Sequence, residues 1–190
     1  PKTSSADAFS YLPGDIQGNI VDAITNSELE FLMEDMFLDD AVDFLEEVPA
    51  NVVTRVLAHT KPETRKLINK FLQYPENSAG SIMTIEMVSF PETYTVKEAI
   101  EMIRKTALDK ETIYTCYCMD DKRKLVGTIP LRKLIVAPEN QIVKDIMEDD
   151  EQLIFVNTMD DQEEVAEIAK KYDLLSIPVV DKEERLVGII

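Results

Sequence analysis

The first 74 residues carry hydrophobic positions at helical spacing and no strand-like alternation. After a weakly patterned segment, residues 1–26, apolar residues recur at intervals of three and four, the spacing of one helix face. The sets are Leu29, Leu32, Met33 and Met36; Val42, Leu45 and Val48; Val52, Val53, Val56 and Leu57; and Leu67, Ile68, Phe71 and Leu72. This predicts four helices of about ten residues. Helices this short cannot bury a face alone and usually stack into a superhelical array.

Polar residues and prolines indicate where these helices begin. Ser27 is a candidate N-cap of the first helix, and Pro49 is predicted to open the third. Thr60 and Glu63 have the spacing of a capping box for the fourth. Residues 1–10 are predicted to be a disordered or tethering end. One short helical stripe is predicted between them and Ser27, formed by Ile16, Ile20, Val21 and Ile24.

A turn-forming segment, residues 75–84, follows the helices. Pro75 disfavours the α conformation at the preceding residue and so tends to end the last helix. Ala79, Gly80 and Ser81 carry little bulk, which lets the backbone turn sharply or approach a neighbour closely. We interpret the segment as a hinge between two modules, and an ordinary linker is the alternative.

After this segment, a strand–helix–strand–strand pattern occurs twice. Residues 82–84 correspond to 146–148, and the strand predicted over residues 88–90 corresponds to 154–156. Two capped helices follow, with Thr95-Val-Lys-Glu and Asp161-Gln-Glu-Glu at their starts.

Each copy then has a strand, a charged turn and a second strand. The turns begin at Asp120 and Asp181, and each leads into Leu-Val-Gly. Matching residues at matching intervals indicate an internal repeat. The first copy is followed by a short predicted helix over residues 131–135. The second copy stops before that point, and the chain starts without Met, so we expect a piece of a longer protein.

Composition narrows the possible functions. The chain has 37 Asp and Glu residues against 20 Lys and Arg residues, a net charge of −17. This argues against nucleic acid, which requires a basic footprint, and favours cations, basic partners or simple solubility. His59 is the single histidine, and Cys116 and Cys118 are expected on one face of a strand as small apolar residues. There is no catalytic triad or glycine-rich phosphate loop, so no enzyme is predicted.

The doubled unit, closed in each copy by Asp-x-x-x-x-Leu-Val-Gly, resembles a tandem cystathionine-β-synthase (CBS) pair. Residues 74–84 read Tyr-Pro-Glu-Asn-Ser-Ala-Gly-Ser-Ile-Met-Thr. With the helical array before them, they are similar to the cytosolic part of MgtE-type magnesium transporters, whose motif reads Tyr-Pro-Glu-Asp-Ser-Ala-Gly-x-Leu-Met-Thr or close to it. Residues 38–47, 111–114 and 161–166 also match, and the resemblance covers residues 27–190.

The resemblance implies an α+β fold. It consists of an N-terminal all-α superhelical array followed by a tandem CBS pair of β-α-β-β-α units. The implied domains are an N-terminal segment at 1–26, an MgtE N-type domain at 27–74, a hinge at 75–84, CBS domain 1 at 82–137, and a truncated CBS domain 2 at 138–190.

The resemblance also implies a regulatory role. The family's cytosolic region is a homodimer through its CBS domains and senses Mg²⁺, which binds between the helical domain and the CBS domains. Binding compacts the dimer and favours closure of the pore. The pore lies in the protein's own C-terminal transmembrane domain, which this chain lacks. We therefore expect a soluble part of an integral membrane protein, on the cytoplasmic side of the plasma membrane.

Carboxylates on one predicted helix are the first candidate ligands. Asp39 and Asp43 are four residues apart and share a helix face, and Glu47 extends that stripe. A solvated acidic face is the alternative. The resemblance favours metal binding, because magnesium-binding aspartates of the family align with Asp39 and Asp43.

The second candidate group is Asp161, Glu163 and Asp173, which align with ligand positions in the family's second CBS unit. The alternative to metal binding is a structural role for two of them. Asp161 would be the N-cap of the helix, and Glu163, in its first turn, would complement the helix dipole. Asp173 is unfavourable to that dipole, which makes it the most suggestive of the three. Lys170 and Ser81 align with residues that offer main-chain carbonyl oxygens to the ion.

Adenine nucleotide binding, by ATP or AMP, is the alternative function. CBS pairs in general can bind these nucleotides through a Thr or Ser and an Asp that follow the last strand. Here Pro130 and Lys133 occupy those positions in the first copy. The regulatory half of a soluble enzyme is a third possibility, which the helical array argues against.

Overall fold

A computed structural model describes residues 4–148 and 153–190. The chain divides into two compact units, Pro1–Tyr74 and Pro75–Ile190. The first consists of helices, and the second contains both sheets. The predicted α+β order is therefore confirmed.

The first unit contains six short helices in its described part. They are α1 (Ser4–Ser10), α2 (Gly14–Ala23), α3 (Asn26–Asp35), α4 (Leu38–Glu47), α5 (Ala50–His59) and α6 (Pro62–Phe71). Each turn contains residues in an extended conformation, such as Phe37 with ψ 154° and Pro49 with ψ 151°. One or two such residues end a helix and redirect the chain, which explains the short connections.

Each helix in this unit packs on helices two or three places along the chain. Helix α3 packs against α5, α4 packs against α6, and α1 contacts both α3 and α4. Phe9 and Phe44 meet edge to face, with ring centroids 5.2 Å apart. The predicted apolar stripes supply the core, because Leu29, Val56 and Ile68 are fully buried.

The N-terminal prediction of a disordered end is wrong for Ser4–Ser10, which is helix α1. Phe9 is buried against Phe44 and fixes this helix to the unit. Residues 1–3 lie outside the described residues.

Two helix starts differ from the sequence predictions. Helix α3 is capped by Thr25 rather than Ser27: Glu28 N–H donates to Thr25 Oγ1, and Thr25 N–H donates to Glu28 Oε2 at 2.8 Å. The predicted capping box at Thr60 and Glu63 is wrong, because Lys61 is the N-cap of α6. Thr60 Oγ1 instead donates to the Val56 carbonyl oxygen, 2.8 Å away, at the end of α5.

The second unit contains the predicted repeat, preceded by the short helix α7 (Ala79–Ile82). The first copy consists of β1 (Val88–Pro91), α8 (Val96–Thr106), β2 (Thr115–Met119), β3 (Leu125–Pro130) and α9 (Leu131–Val136). The second consists of β4 (Val156–Asn157), α10 (Gln162–Tyr172), β5 (Pro178–Val180) and β6 (Leu186–Ile189). In each copy the first two strands are parallel, and the second and third are antiparallel. The strand predicted over residues 154–156 begins only at Val156.

The repeated aspartates have the same role in both hairpins. Asp120 Oδ1 accepts hydrogen bonds from the N–H groups of Lys122 and Lys124, at 2.8 Å each. Asp181 Oδ1 accepts the equivalent bonds from Glu183 and Arg185, at 3.0 Å each. Aspartate stabilises turns by such bonds to nearby backbone, which explains why it recurs at these two positions.

The segment that precedes each copy forms backbone hydrogen bonds with the last strand of the other copy. Thr84, which precedes β1, forms reciprocal 2.8 Å hydrogen bonds with Ile189 of β6. Glu148, which precedes the second copy, pairs in the same way with Thr128 of β3. A shared core closes between the copies, formed by Met87, Tyr117, Leu125, Val180, Leu186 and Ile189.

The predicted hinge, residues 75–84, lies within the second unit. Asn77 accepts a backbone hydrogen bond from Gln162, and Ala79 and Gly80 donate to the carbonyl oxygens of Asp160 and Thr158. The hinge stays a prediction, and these bonds confine any pivot to the residues before Asn77.

Candidate functional site

Helix α4 holds the first group of candidate ligands. Its apolar face is buried, through Leu38, Ala41, Val42, Phe44 and Leu45. Asp39, Asp40 and Asp43 are not among these buried residues and lie outside the apolar face. Asp39 is half-buried, and Asp43 is exposed. The sequence prediction that Asp39 and Asp43 lie one turn apart on a helix is therefore confirmed in geometry.

The surroundings of Asp43 on α4 disfavour its negative charge. The pKa of Asp43 is above its ordinary value of 3.8, because the surrounding protein desolvates the carboxyl group and because Asp40 and Glu47 repel its charge. Two carboxylates in adjacent turns disfavour each other, and a cation placed beside them removes this cost. The carboxyl group of Asp43 is therefore harder to ionise than that of a free aspartate.

Glu47, which the sequence placed in the same stripe, has a structural neighbour. A Cβ atom added to Gly14 would lie 2.5 Å from Glu47 Oε2, so this carboxylate packs on the first turn of α2. The free N–H groups at a helix start favour negative charge. Glu47 is thereby positioned by α2, which the sequence alone does not indicate.

Helix α10 holds the second group. Asp161 is its N-cap, and its Oδ1 accepts the N–H of Glu163 at 2.8 Å. The capping-box prediction required a hydrogen bond from the N–H of Glu164 to Asp161. The observed bond comes from Glu163, so this part of the prediction is wrong. Asp173 ends the helix in the left-handed conformation, with φ 51°. Twelve helical steps place Asp161 and Asp173 about 18 Å apart, so they cannot bind the same ion.

The two residues expected to contribute main-chain oxygens lie in exposed and half-buried positions. Lys170 is exposed in the last turn of α10. Ser81 is half-buried in α7, where its hydroxyl donates to the Ser78 carbonyl oxygen at 2.9 Å.

Within residues 4–148 and 153–190, no three acidic, histidine or cysteine side chains converge as a metal site. Mg²⁺ retains several waters and needs only one or two carboxylates from the protein. The predicted ligands fit that chemistry, and their metal binding stays a prediction.

A cleft of about 610 Å³ lies between the two copies of the repeat. It is lined by Tyr114, Thr115, Tyr117, Thr128, Pro130, Leu131, Arg132, Ile135, Glu148, Leu153, Ile154, Asp173, Leu174, Leu175, Ser176 and Pro178. At its wall, Tyr117 Oη and Ser176 Oγ are 2.7 Å apart and join the copies by a hydrogen bond. Apart from Pro130 and Asp173, sequence reasoning missed this site, because its walls come from segments far apart in the chain.

Both parts of the chain match known protein families. Residues 1–77 match the MgtE intracellular N domain, and residues 79–140 and 143–190 match the CBS domain. The two CBS matches coincide with the two structural copies. The fold therefore defines a protein with a helical N domain followed by paired CBS domains.

Individual relatives agree with these matches. The chain is 38% identical to the magnesium transporter MgtE of Thermus thermophilus, over all of this chain and 42% of that protein. A crystal structure of the cytosolic domain of the Mg²⁺ channel MgtE in complex with ATP is also 38% identical, with a TM-score of 0.92, and is covered to 77%. The soluble part of a magnesium transporter is 33% identical, with a TM-score of 0.91 and 72% coverage. The chain belongs to the MgtE family.

None of the helices in the described ranges is both long and apolar enough to cross a membrane.

Proposed function

We propose that this chain is the magnesium-sensing regulatory region of a membrane magnesium transporter. In this proposal Mg²⁺ binds at Asp39 and Asp43 of the helical unit and at Asp161, Glu163 and Asp173 of the CBS unit. Lys170 and Ser81 contribute carbonyl oxygens. Ion binding compacts a homodimer that forms through the CBS domains. The compact form favours closure of a pore in the protein's own transmembrane domain. This chain lies on the cytoplasmic side of that membrane.

The physical basis is charge compensation. The chain carries a net charge of −17, and α4 concentrates three aspartates on one side. In this proposal carboxylates of the helical unit face carboxylates of the CBS unit, and two of them about 5 Å apart would repel by roughly 3 kcal/mol at an effective dielectric constant near 20. Mg²⁺ reverses the sign of this interaction, so the metal-bound form is the more compact one.

The aspartates that lie off the buried face of α4, in a chain of the MgtE family, are the observation that carries the proposal. Isothermal titration with Mg²⁺ tests it. We expect heat from Mg²⁺ binding in the wild type and a clear loss of affinity in Asp43→Asn. Glu30→Gln, which neutralises an exposed carboxylate on α3, is the matched control and should bind like the wild type. Equal binding in Asp43→Asn and the wild type would contradict the assignment.

Nucleotide binding in the cleft is the second candidate. It is supported by the volume and apolar walls of the cleft, and by the relative that was solved with ATP. Pockets of 300–1,000 Å³ suit small-molecule ligands. Separate calorimetric titrations with ATP, AMP and Mg²⁺ distinguish this function from ion sensing.

A further inference from the structure

Asn77 forms two hydrogen bonds with the first residue of α10. The backbone N–H of Gln162 donates to the Asn77 carbonyl oxygen at 2.8 Å, and Nε2 of Gln162 donates to Asn77 Oδ1 at 3.0 Å. Gln162 lies between Asp161 and Glu163, the two proposed magnesium ligands at the start of this helix. Asn77 therefore binds the residue that joins the two carboxylate-bearing residues.

The backbone conformation at Asn77 explains why asparagine suits this position. Its φ is 62°, in the left-handed region, which asparagine adopts more readily than most residues other than glycine. This conformation lets the carbonyl oxygen and the side-chain oxygen of Asn77 bind the same residue. Glycine can adopt the conformation but lacks the side-chain oxygen.

The residues that follow Asn77 extend this attachment. Residues 79–80, at the start of α7, donate backbone hydrogen bonds to residues 160 and 158, which precede α10. Both of these α7 residues are buried. The same short helix contains Ser81, which is proposed to contribute a carbonyl oxygen to the ion. Asn77 is exposed and lies at the end of this contact that meets the first turn of α10.

We infer that Asn77 is a positioning residue for the magnesium site proposed at the start of α10. It holds Gln162, and with it the first turn of the helix, against the segment that leads into α7. The carboxylates of Asp161 and Glu163 are thereby ordered before the ion binds, and pre-organised ligands bind a metal more tightly. This inference rests on the proposed magnesium sensing and concerns the site on α10, not the one on α4.

A magnesium titration followed by NMR tests this role at the site itself. The amide resonances of Asp161, Gln162 and Glu163 in the nitrogen-15-labelled 190-residue chain report on α10. Asn77→Gly keeps the left-handed conformation and removes only the side-chain oxygen. We expect the Mg²⁺ concentration at half-saturation of these resonances to rise about threefold, the effect of one lost hydrogen bond. Asn140→Gly, at an exposed turn elsewhere in the CBS unit, is the matched control and should titrate like the wild type.

Gln162→Ala removes the other partner of the side-chain bond and should raise the half-saturation concentration by a similar factor. Because both substitutions remove the same bond, the double variant should bind Mg²⁺ no more weakly than either single variant. In EDTA, the amide hydrogens of Gln162 and Glu163 should exchange faster in Asn77→Gly than in the wild type, since the first turn of α10 is less firmly held.

The possible failures are distinguishable. Equal half-saturation in Asn77→Gly and the wild type would overturn the inference and leave the magnesium site standing. If the free energy of unfolding fell while half-saturation stayed unchanged, Asn77 would have a structural role only. Independent, additive effects of the two substitutions would overturn the pairing of Asn77 with Gln162. Wild-type resonances that do not respond to Mg²⁺ would overturn both the inference and the proposed site on α10.

Discussion

Gly188 of β6 lies directly against Met83, at the start of the first CBS copy. A Cβ atom at Gly188 would stand 2.7 Å from Met83 Sδ and 2.8 Å from the Thr84 carbonyl oxygen. The repeat reproduces this contact, because a Cβ at Gly127 would stand 2.8 Å from Met147 Sδ and 2.6 Å from the Glu148 carbonyl oxygen. Only glycine therefore fits at the third position of each Leu-Val-Gly. The backbone segment that precedes the opposite copy, residues 83–84 or 147–148, passes too close for a side chain.

Replacing either glycine by alanine should destabilise the CBS unit. The backbone carbonyl at each site cannot move as a side chain can, and overpacking of a tight core costs about 1–3 kcal/mol. Chemical denaturation should show this loss for Gly188→Ala and Gly127→Ala. Gly18→Ala is the control, since a Cβ there meets nothing within 4 Å and alanine favours a helix. Wild-type stability in Gly188→Ala would show that the copies do not depend on this contact.

Local patterns predicted most of the elements. Periods of three and four residues located α3 to α6, and the repeated Asp turns located both hairpins. The choice of cap could not be made from sequence: Thr25 and Ser27 are both good N-caps, and each has a glutamate three residues later, Glu28 and Glu30. The crossing of the copies could not be predicted, because Thr84 and Ile189 are more than a hundred residues apart.

In the candidate site, too, the sequence predicted what depends on local spacing and not what depends on tertiary contacts. Helical spacing alone places Asp39 and Asp43 on neighbouring turns of α4. The contact of Glu47 with Gly14 depends on how α2 packs beside α4, for which the sequence carries no local signal. The cleft likewise depends on tertiary contacts, since its tyrosine–serine hydrogen bond joins residues 117 and 176.

Asp161 has two possible roles that amide substitution can separate. Asparagine caps a helix about as well as aspartate but lacks the charge. Asp161→Asn should therefore keep its free energy of unfolding within about 0.5 kcal/mol, whereas Asp161→Ala should lose about 1 kcal/mol. Both should weaken Mg²⁺ binding in calorimetry. Full Mg²⁺ affinity in Asp161→Asn would show that the residue acts only as a cap.

Cys116 and Cys118 should be inert in the folded protein. Burial raises the pKa of each thiol to about 12, so almost none is ionised at pH 8. The thiolate is the reactive form, and both side chains are fully buried. Labelling with iodoacetamide at pH 8 should be negligible until guanidinium unfolds the chain, after which both residues should react. Labelling of the native chain at the rate of a free cysteine would contradict this burial.

Asp43→Asn should stabilise the metal-free helical unit. The raised pKa of Asp43 means that its ionised form is disfavoured in the folded state, so wild-type stability falls as pH rises from below 3.8 through the folded pKa. At pH 7 the variant should gain about 0.5 kcal/mol, the scale of one or two like-charge pairs. The gain should diminish as the pH falls below 3.8, where Asp43 becomes protonated in both the folded and the unfolded state.

Thermal unfolding of the wild type and of Asp43→Asn in EDTA across this pH range measures the difference. A variant that is less stable at pH 7 would show that Asp43 forms a favourable contact in the absence of metal. The same substitution weakens magnesium binding in our account, so one change should raise stability and reduce function.

Small-angle X-ray scattering of the 190-residue chain in EDTA and in millimolar Mg²⁺ tests magnesium sensing most directly. We predict a smaller radius of gyration with Mg²⁺ for the wild type and for Glu30→Gln, and a reduced change for Asp43→Asn. Calcium-free buffers of equal ionic strength exclude a general screening effect. Superimposable profiles of the wild type with and without Mg²⁺ would contradict the account.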